Sequence, residues 1–350
     1  LRLARGMKLA ALVATGAMAL AACGGGKSVT GNSSDSSSDK KTIKVGLAYD
    51  IGGRGDKSFN DAAATGLERV KKDLNVQTNE LSAKANESPA DKEERLRLLA
   101  SNGYNPVVAV GFAYADALTK IAKQFPNVKF GIVDGVVDAP NVNSLVFAEE
   151  QGSFLVGAAA ALKTKTKNVG YIGGCLVPLL QKFQAGYEAG VKAVDPTIKV
   201  QVKYLSNPPS CTGFNDPAAG KTTATGMYQA GADIIYAAAG GSGSGVFQAA
   251  KAANAKAIGV DSDQYQSADP SVRDVIMTSM IKRVDNAVFD FVDKESKGQF
   301  KAGTSVYDLK VDGVGYATSG GQVDDIKSKL DDYKQQIIDG KITVPTKPSS

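Results

Sequence analysis

Gly231-Ala232-Asp233-Ile234 opens a short apolar run that ends at Gly240, and a helical pattern then leads to Ile258-Gly259-Val260-Asp261. The same plan stands earlier in the chain. Gly103-Tyr104-Asn105-Pro106 opens a run that ends at Gly111, and a helical pattern leads to Gly131-Ile132-Val133-Asp134. Each segment reads as strand, glycine loop, helix, strand and terminal aspartate. Short apolar runs alternating with longer helical patterns are the signature of a parallel sheet with helices on its faces. One such unit in each half of the chain predicts two similar α/β lobes.

Flanking segments extend both lobes. Residues 43–50 read as a strand ending in Asp50, followed by a glycine-rich loop (51–57) and a helix over about 60–73. In the second half, residues 169–173 and 200–204 read as strands on either side of a helix that contains 183–194. Ligands of open parallel sheets bind outside the carboxyl ends of the strands. Asp50, Asp134 and Asp261 stand at such ends, as do the loops at Gly111 and Gly240. Any one strand-end aspartate is ordinarily a helix cap or turn residue. Three of them, at corresponding places in two lobes, point to a shared cleft.

Composition narrows the chemistry. The 350 residues suffice for two lobes, and an apolar content of 43% supports an ordinary core. There is no His, which removes Ser-His-Asp and Cys-His catalysis and disfavours zinc. Carboxylates, lysines and tyrosines still offer acid–base groups, so an enzyme is disfavoured and not excluded. No metal or other cofactor is expected. The formal charge of +5 owes three of its units to Arg2, Arg5 and Lys8, and no basic face of the kind that binds nucleic acid is visible.

Those three residues head an apolar run (9–20) that closes in Leu20-Ala21-Ala22-Cys23, before a Gly/Ser/Asp stretch ending near Lys40. A basic head, a short apolar core and small residues before a cut form a secretory signal. A dozen apolar residues fall short of the ~20 a membrane span requires. Cys directly after Leu-Ala-Ala resembles the bacterial lipoprotein box. The expectation is therefore a signal peptide over 1–22, a lipidated Cys23 leading a flexible linker over 23–40, and a protein tethered at the extracytoplasmic face of the cell membrane. Of the other two cysteines, Cys175 and Cys211, an oxidising compartment favours a bridge, the alternative being two small unpaired hydrophobes.

Two glycine-rich stretches imitate nucleotide loops. Gly220-Lys221-Thr222-Thr223 lacks the phosphate loop's first glycine, since position 215 is Asn215, and Asp216-Pro217 reads instead as a helix start. The run Gly240 to Gly245 lacks the last glycine of a dinucleotide fingerprint, position 246 being Val246.

The segment Asp50-Ile51-Gly52-Gly53…Asp56-Lys57-Ser58-Phe59-Asn60 resembles the opening signature of the basic membrane protein family, bacterial lipoproteins that serve as solute-binding components of ABC importers. Further similar motifs follow in order: Glu150-Gln151-Gly152-Ser153-Phe154, Ala185-Gly186-Tyr187-Glu188-Ala189-Gly190, Gly240-Gly241-Ser242-Gly243, Gly259-Val260-Asp261-Ser262 and Thr278-Ser279-Met280-Ile281-Lys282. The resemblance is greatest to members that receive purine nucleosides. It implies a base held between two Phe rings, here Phe59 and Phe214, with Asp50 and Asp134 facing the base and Asn60 beside them. It implies Asp261 and Lys282 at the ribose and a backbone contact at Gly240. The residue types agree with this physically, because stacking on an aromatic face contributes ~1–3 kcal/mol per base. Carboxylates accept from sugar hydroxyls and ring N–H groups and would oppose a phosphate.

The resemblance also implies a two-lobed fold of the periplasmic-binding type I, each lobe a parallel sheet flanked by helices, with three crossovers near 147–151, 263–268 and 307–313. Lobe 1 is expected over 41–148 plus 266–309, presenting Asp50, Phe59, Asn60, Asp134 and Lys282. Lobe 2 is expected over 149–265 plus 310–350, presenting Phe214, Gly240 and Asp261. The implied partners are a purine nucleoside, a membrane permease and a cytoplasmic ATPase, with the receptor a monomer. Another small ligand (a sugar, a free base or a furanose signal), a nucleoside-cleaving enzyme and a sensory ectodomain are the alternatives.

Overall fold

The computed structural model describes residues 43–84 and 87–348. The expected signal segment and Cys23 lie outside the described residues. The first lobe begins with β1 (Lys44–Ala48), α1 (Phe59–Leu74), β2 (Gln77–Leu81) and α2 (Pro89–Ser101). It continues through β3 (Val107–Val110), α3 (Ala115–Gln124), β4 (Phe130–Val133) and β5 (Val142–Phe147). The chain then crosses to α4 (Glu149–Lys163), β6 (Asn168–Gly173), α5 (Pro178–Val194), β7 (Lys199–Tyr204), α6 (Pro217–Gln229) and β8 (Ile234–Ala238). That lobe goes on with α7 (Gly243–Ala252), β9 (Lys256–Asp261), the single turn α8 (Gln264–Ser267) and β10 (Ile276–Lys282). The chain returns for α9 (Val284–Ser296) and β11 (Gly303–Tyr307), and finishes with β12 (Val314–Tyr316) and α10 (Lys327–Ile338).

Two six-stranded sheets result, in the order β2-β1-β3-β4-β5-β11 and β7-β6-β8-β9-β10-β12. Apart from β12, which runs antiparallel to β10, neighbouring strands are parallel. This is the two-lobed α/β architecture that the repeated unit predicts. Parallel strands covered on both faces carry near-continuous apolar runs. Val107–Val110, Phe130–Val133 and Ile234–Ala238 are buried along their whole length. The edge strand β2 (Gln-Thr-Asn-Glu-Leu) has no such run and no fully buried residue.

Both sheets reverse their strand order beside the first strand, between β1 and β3 and between β6 and β8. A crevice opens at the carboxyl ends on either side of such a reversal. The repeat is matched in backbone detail: a 3-10 turn follows each middle strand (Phe112–Tyr114 and Gly240–Ser242) before α3 and α7. Asp134 and Asp261, which end the paired units, both adopt left-handed φ angles, 64° and 66°. Asp is one of the few side chains that visits this region readily.

Sheet membership moves one boundary. A crossover expected at 263–268 is instead the turn α8 within the second lobe, and β10 pairs with β9 in that lobe's sheet. Burial of Ile276, Met277 and Met280 in the core explains the return. The chain crosses only after Lys282, where α9 packs on α1 of the first lobe: Arg69 stacks over Phe289 at 4.5 Å and donates to Asn286 Oδ1 at 2.7 Å. Lys282 therefore belongs to the second lobe and not the first.

The first crossover delivers α4 onto α5, and the two helices touch backbone to backbone. A Cβ on Gly157, Gly186 or Gly190 would stand 2.2, 2.1 or 2.0 Å from a carbonyl oxygen of the facing helix. These positions account for the small residues of the Gly152–Gly157 and Gly186–Gly190 motifs. Gly190→Ala is expected to lower stability by about 1–3 kcal/mol, the usual penalty for overpacking. A denaturant midpoint equal to the parent's would contradict that separation of the helices.

Candidate functional site

The carboxyl ends of the two sheets face each other across a cleft lined from both lobes. Asp50, Phe59, Asn60 and Asp134 line it from the first lobe. Phe214, Gly240, Asp261 and Lys282 line it from the second. All eight residues singled out in the sequence thus meet in one cavity, Lys282 from the opposite lobe to that expected.

The base of the cleft is built around Asp50, two residues past β1. Its Oδ1 accepts from the Ile51 N–H at 2.8 Å, and its own N–H donates to Asn60 Oδ1 at 3.1 Å. Gly111 makes this position possible. It has φ 108°, and a Cβ there would lie 2.2 Å from Asp50 Oδ2. Burial raises the Asp50 carboxyl to about 6. Asn60 spends its amide on the loop: its Oδ1 accepts from the Asp50 N–H, and its Nδ2 donates to Ile51 O at 3.2 Å and Asp56 Oδ2 at 3.0 Å. Its role in this geometry is to fix the Asp50 segment.

Asp56 was not singled out, and it organises the start of α1. Its two oxygens accept from the backbone N–H groups of Ser58, Asn60 and Asp61 at 2.9, 2.8 and 3.1 Å. That satisfies orphan donors at a helix N-terminus and sets the direction of Phe59. Burial nonetheless raises its carboxyl to about 6.

At the other end stands Lys282, 2% exposed. Its ammonium pairs with Asp134 Oδ2 at 2.5 Å and with Glu149 Oε1 at 3.3 Å. The rings of Phe59, Phe147 and Phe183 lie 5.0–5.4 Å from it, at cation–π range. Burial opposes its charge, but the carboxylates of Asp134, Glu149 and Asp261 outweigh burial and hold it protonated. Glu149, 1% exposed at the first position of α4, also binds Lys182 at 2.6 Å. Lys182 in turn donates to Phe147 O at 2.8 Å, at the end of β5. The ion chain therefore runs from the cavity into the first crossover.

Asp134 accepts from Lys282 through Oδ2, while its buried Oδ1 has no partner among the described residues. Burial raises this carboxyl to about 7, with Glu149 and Asp261 adding to the effect and Lys282 opposing it. Asp261, raised first by burial and eased by Lys282, accepts from Ser58 Oγ at 2.7 Å. Ser262 Oγ donates to Ser58 O at 2.9 Å and Gln264 Nε2 to Lys57 O at 3.0 Å, so hydrogen bonds join the two lobes beside the cavity.

Aromatic surface completes the lining. Phe59 and Phe214 come from opposite lobes, and Phe112, not foreseen, meets the Phe214 ring edge-on at 6.4 Å. Phe112 directly follows Gly111, at the place that Gly241 takes in the repeat, which is the one signal that marks it. Glu149 precedes the Glu150-Gln151 motif and reads in the sequence only as a helix-start acid. Cys175 and Cys211 form a disulfide with Cα atoms 5.1 Å apart. Among the described residues no helix is long and apolar enough to cross a membrane.

Residues 43–348 match the Bmp family, described as ABC transporter substrate-binding protein PnrA-like. The ABC transporter nucleoside-binding protein BmpA of Lactococcus lactis subsp. cremoris is 38% identical, over 88% of this chain and 90% of that protein. The CD4+ T-cell-stimulating antigen of Listeria innocua is 36% identical over 98% of each. A solved structure of an ABC transporter solute-binding protein from Aeropyrum pernix K1 superposes with a TM-score of 0.75 at 29% identity, covering 88% of this chain and 94% of that one.

The carboxyls of Asp50, Asp56 and Asp134, at about 6, 6 and 7, hold protons in the folded state that the unfolded chain releases near pH 4. The folded state binds more protons between those values, so stability falls as pH rises through them. The chain has no His to oppose this. Ligand-free protein is expected to melt at a higher temperature at pH 5 than at pH 7.5, and Asp134→Asn to flatten the slope. A melting temperature that instead climbs from pH 5 to 7.5 would count against the buried, proton-holding cluster.

Proposed function

The chain belongs to the Bmp family of PnrA-like ABC transporter substrate-binding proteins, and from that premise we propose a lipid-anchored receptor that binds purine nucleosides and delivers them to its importer. As a substrate-binding protein of this family it works with a permease and an ATPase. The fold is of the periplasmic-binding type. Lipid attachment at Cys23 is read from the Leu20-Ala21-Ala22-Cys23 box and is supported by a relative from Pyrococcus abyssi that is named a lipoprotein, 34% identical over 82% of this chain.

The observation that carries the nucleoside reading is the pairing of aromatic faces with carboxylates in one cavity whose lining ammonium is already engaged. Phe59 and Phe214 offer apolar faces from opposite lobes, suited to a flat heterocycle. The unpartnered Oδ1 of Asp134 calls for a hydrogen-bond partner from the ligand, since a buried polar atom left alone costs roughly 1–3 kcal/mol. Asp50 and Asp134 are assigned to the base edge. Asp261 and Lys282 are assigned to the ribose, where Asp261 accepts from hydroxyls and Lys282 keeps one N–H beyond its two carboxylate partners. Gly240 contributes backbone. Four aspartates lining the cavity, against one lysine in ion pairs, oppose a phosphate and favour nucleosides over nucleotides. The Lactococcus relative named as a nucleoside-binding protein supports the same class.

A ligand touching both lobes stabilises the form in which they are close, so binding favours hinge closure. The permease would then recognise the closed receptor, which is expected to act as a monomer.

Calorimetric titration of the purified protein, checked for carried-over ligand, with adenosine, guanosine, inosine, cytidine and ribose tests the proposal. One-to-one binding of the purine nucleosides with ribose silent is expected. Saturation by ribose alone would move the ligand to a sugar, and free base accumulating from inosine would make the protein an enzyme. Within the nucleoside reading, Asp261→Ala should weaken nucleoside binding at least tenfold more than binding of the free base. Equal losses would remove the ribose from Asp261.

A further inference from the structure

Phe214 ends a 3-10 turn (Thr212–Phe214) in the long connection between β7 and α6. A ring carried by such a segment would be mobile unless something held it, and ordering it on binding would cost affinity. Three attachments converge on this turn. Cys211, immediately before it, is disulfide-bonded to Cys175, which lies two residues past β6 and is fully buried. Ser206 Oγ donates to Gly174 O at 2.7 Å and accepts from the Gly213 N–H at 3.0 Å. Ser242 Oγ, from the turn after β8, donates to Gly213 O at 2.7 Å and accepts from the Asp216 N–H at 2.7 Å.

The ring itself lies against the strand end to which the disulfide ties it. A Cβ on Gly174 would fall 2.4 Å from Phe214 Cδ1, so the ring occupies the space beside the residue next to Cys175. Cys211 adopts a left-handed φ of 44°, a conformation that a bulky side chain rarely takes unless its surroundings impose it. Of the three attachments only the disulfide is covalent, and the two polar ones both bind the backbone of Gly213.

We propose that the Cys175–Cys211 disulfide is a positioning element for ligand binding, holding the Phe214 turn against the end of β6 so that the ring is in place before the ligand arrives. This rests on the reading that Phe214 stacks on the ligand. The bridge acts through Phe214 and touches no ligand atom. Its contribution is therefore in the lifetime of the complex and vanishes when the ring is gone.

The experiment is a double-mutant cycle with inosine as the probe, affinity by calorimetry and dissociation by stopped flow, on four proteins: the parent, Cys175→Ala/Cys211→Ala, Phe214→Ala and the triple variant. Removing the bridge from the parent is expected to weaken binding about three- to tenfold, the cost of ordering one side chain, chiefly by faster dissociation. Removing it from Phe214→Ala should change affinity less than twofold. An equal loss in both backgrounds would show that the bridge supports the fold at large and would overturn the proposal, as would an unchanged affinity on removing it from the parent. A neutral Phe214→Ala would instead remove the stacking reading and take this inference with it, while inosine binding itself survived. If the alanine pair does not fold, Cys175→Val/Cys211→Ala keeps the buried volume at 175 and gives the same comparison.

Discussion

The ion pair between Lys282 and Asp134 is the interaction on which the rest of the site depends. Carboxylates gather at the strand ends of both sheets because that is where an open parallel sheet presents its crevice. Closing two such crevices on each other removes water from several acids at once, and isolated buried charges of that kind are not tolerated. Lys282 meets the excess from the end of β10, within reach of Asp134 from the opposite lobe and Glu149 from the crossover. Even so, burial holds the carboxyls of Asp50 and Asp134 protonated toward neutrality, and at Asp134 the neighbouring Glu149 and Asp261 add to it.

From this follows the division of labour around the cavity. Lys282 is enclosed by Phe59, Phe147 and Phe183, and two of the rings that strengthen its ion pairs by their low polarity, Phe59 and Phe183, also line the cavity. Glu149 ties the same lysine to Lys182, and Lys182 to the carbonyl at the end of β5. The charge that faces the cavity is thereby anchored in the crossover about which the lobes would rotate.

Much of this was legible in the sequence because the chain repeats itself. A single Asp after a strand says little, but Asp134 and Asp261 end matching units, and the structure gives them matching left-handed backbones. Buried strands were legible for the same reason that they are buried: Val107–Val110 and Ile234–Ala238 are covered on both faces and carry no polar residue. The edge strand β2 was not, since pairing on one side alone needs no apolar run. The boundary after β9 was misplaced because a connection within a sheet and a crossover between sheets begin with similar polar turns. Only the burial of Ile276, Met277 and Met280 decides between them, and burial is a property of the fold. Glu149 escaped notice because acids are common in first helical turns, where the helix dipole favours them. Nothing local distinguishes one that also neutralises two lysines.

The place of Lys282 at the end of β10 has a physical consequence. With Lys282 on the first lobe, its pair with Asp134 would be internal to that lobe and indifferent to closure. On the second lobe the same pair spans the cleft, as do the bonds of Ser58 to Asp261 and of Gln264 to Lys57. Each lobe leaves an acid to the other: the first holds Asp134 without Lys282, and the second holds Asp261 without Ser58. Bringing the lobes together therefore completes the electrostatics of the site as well as its shape. A ligand that supplies a hydrogen-bond partner to the remaining Asp134 oxygen acts on that same balance. Recognition and closure are then two aspects of one charge distribution, set by which strand end carries the lysine.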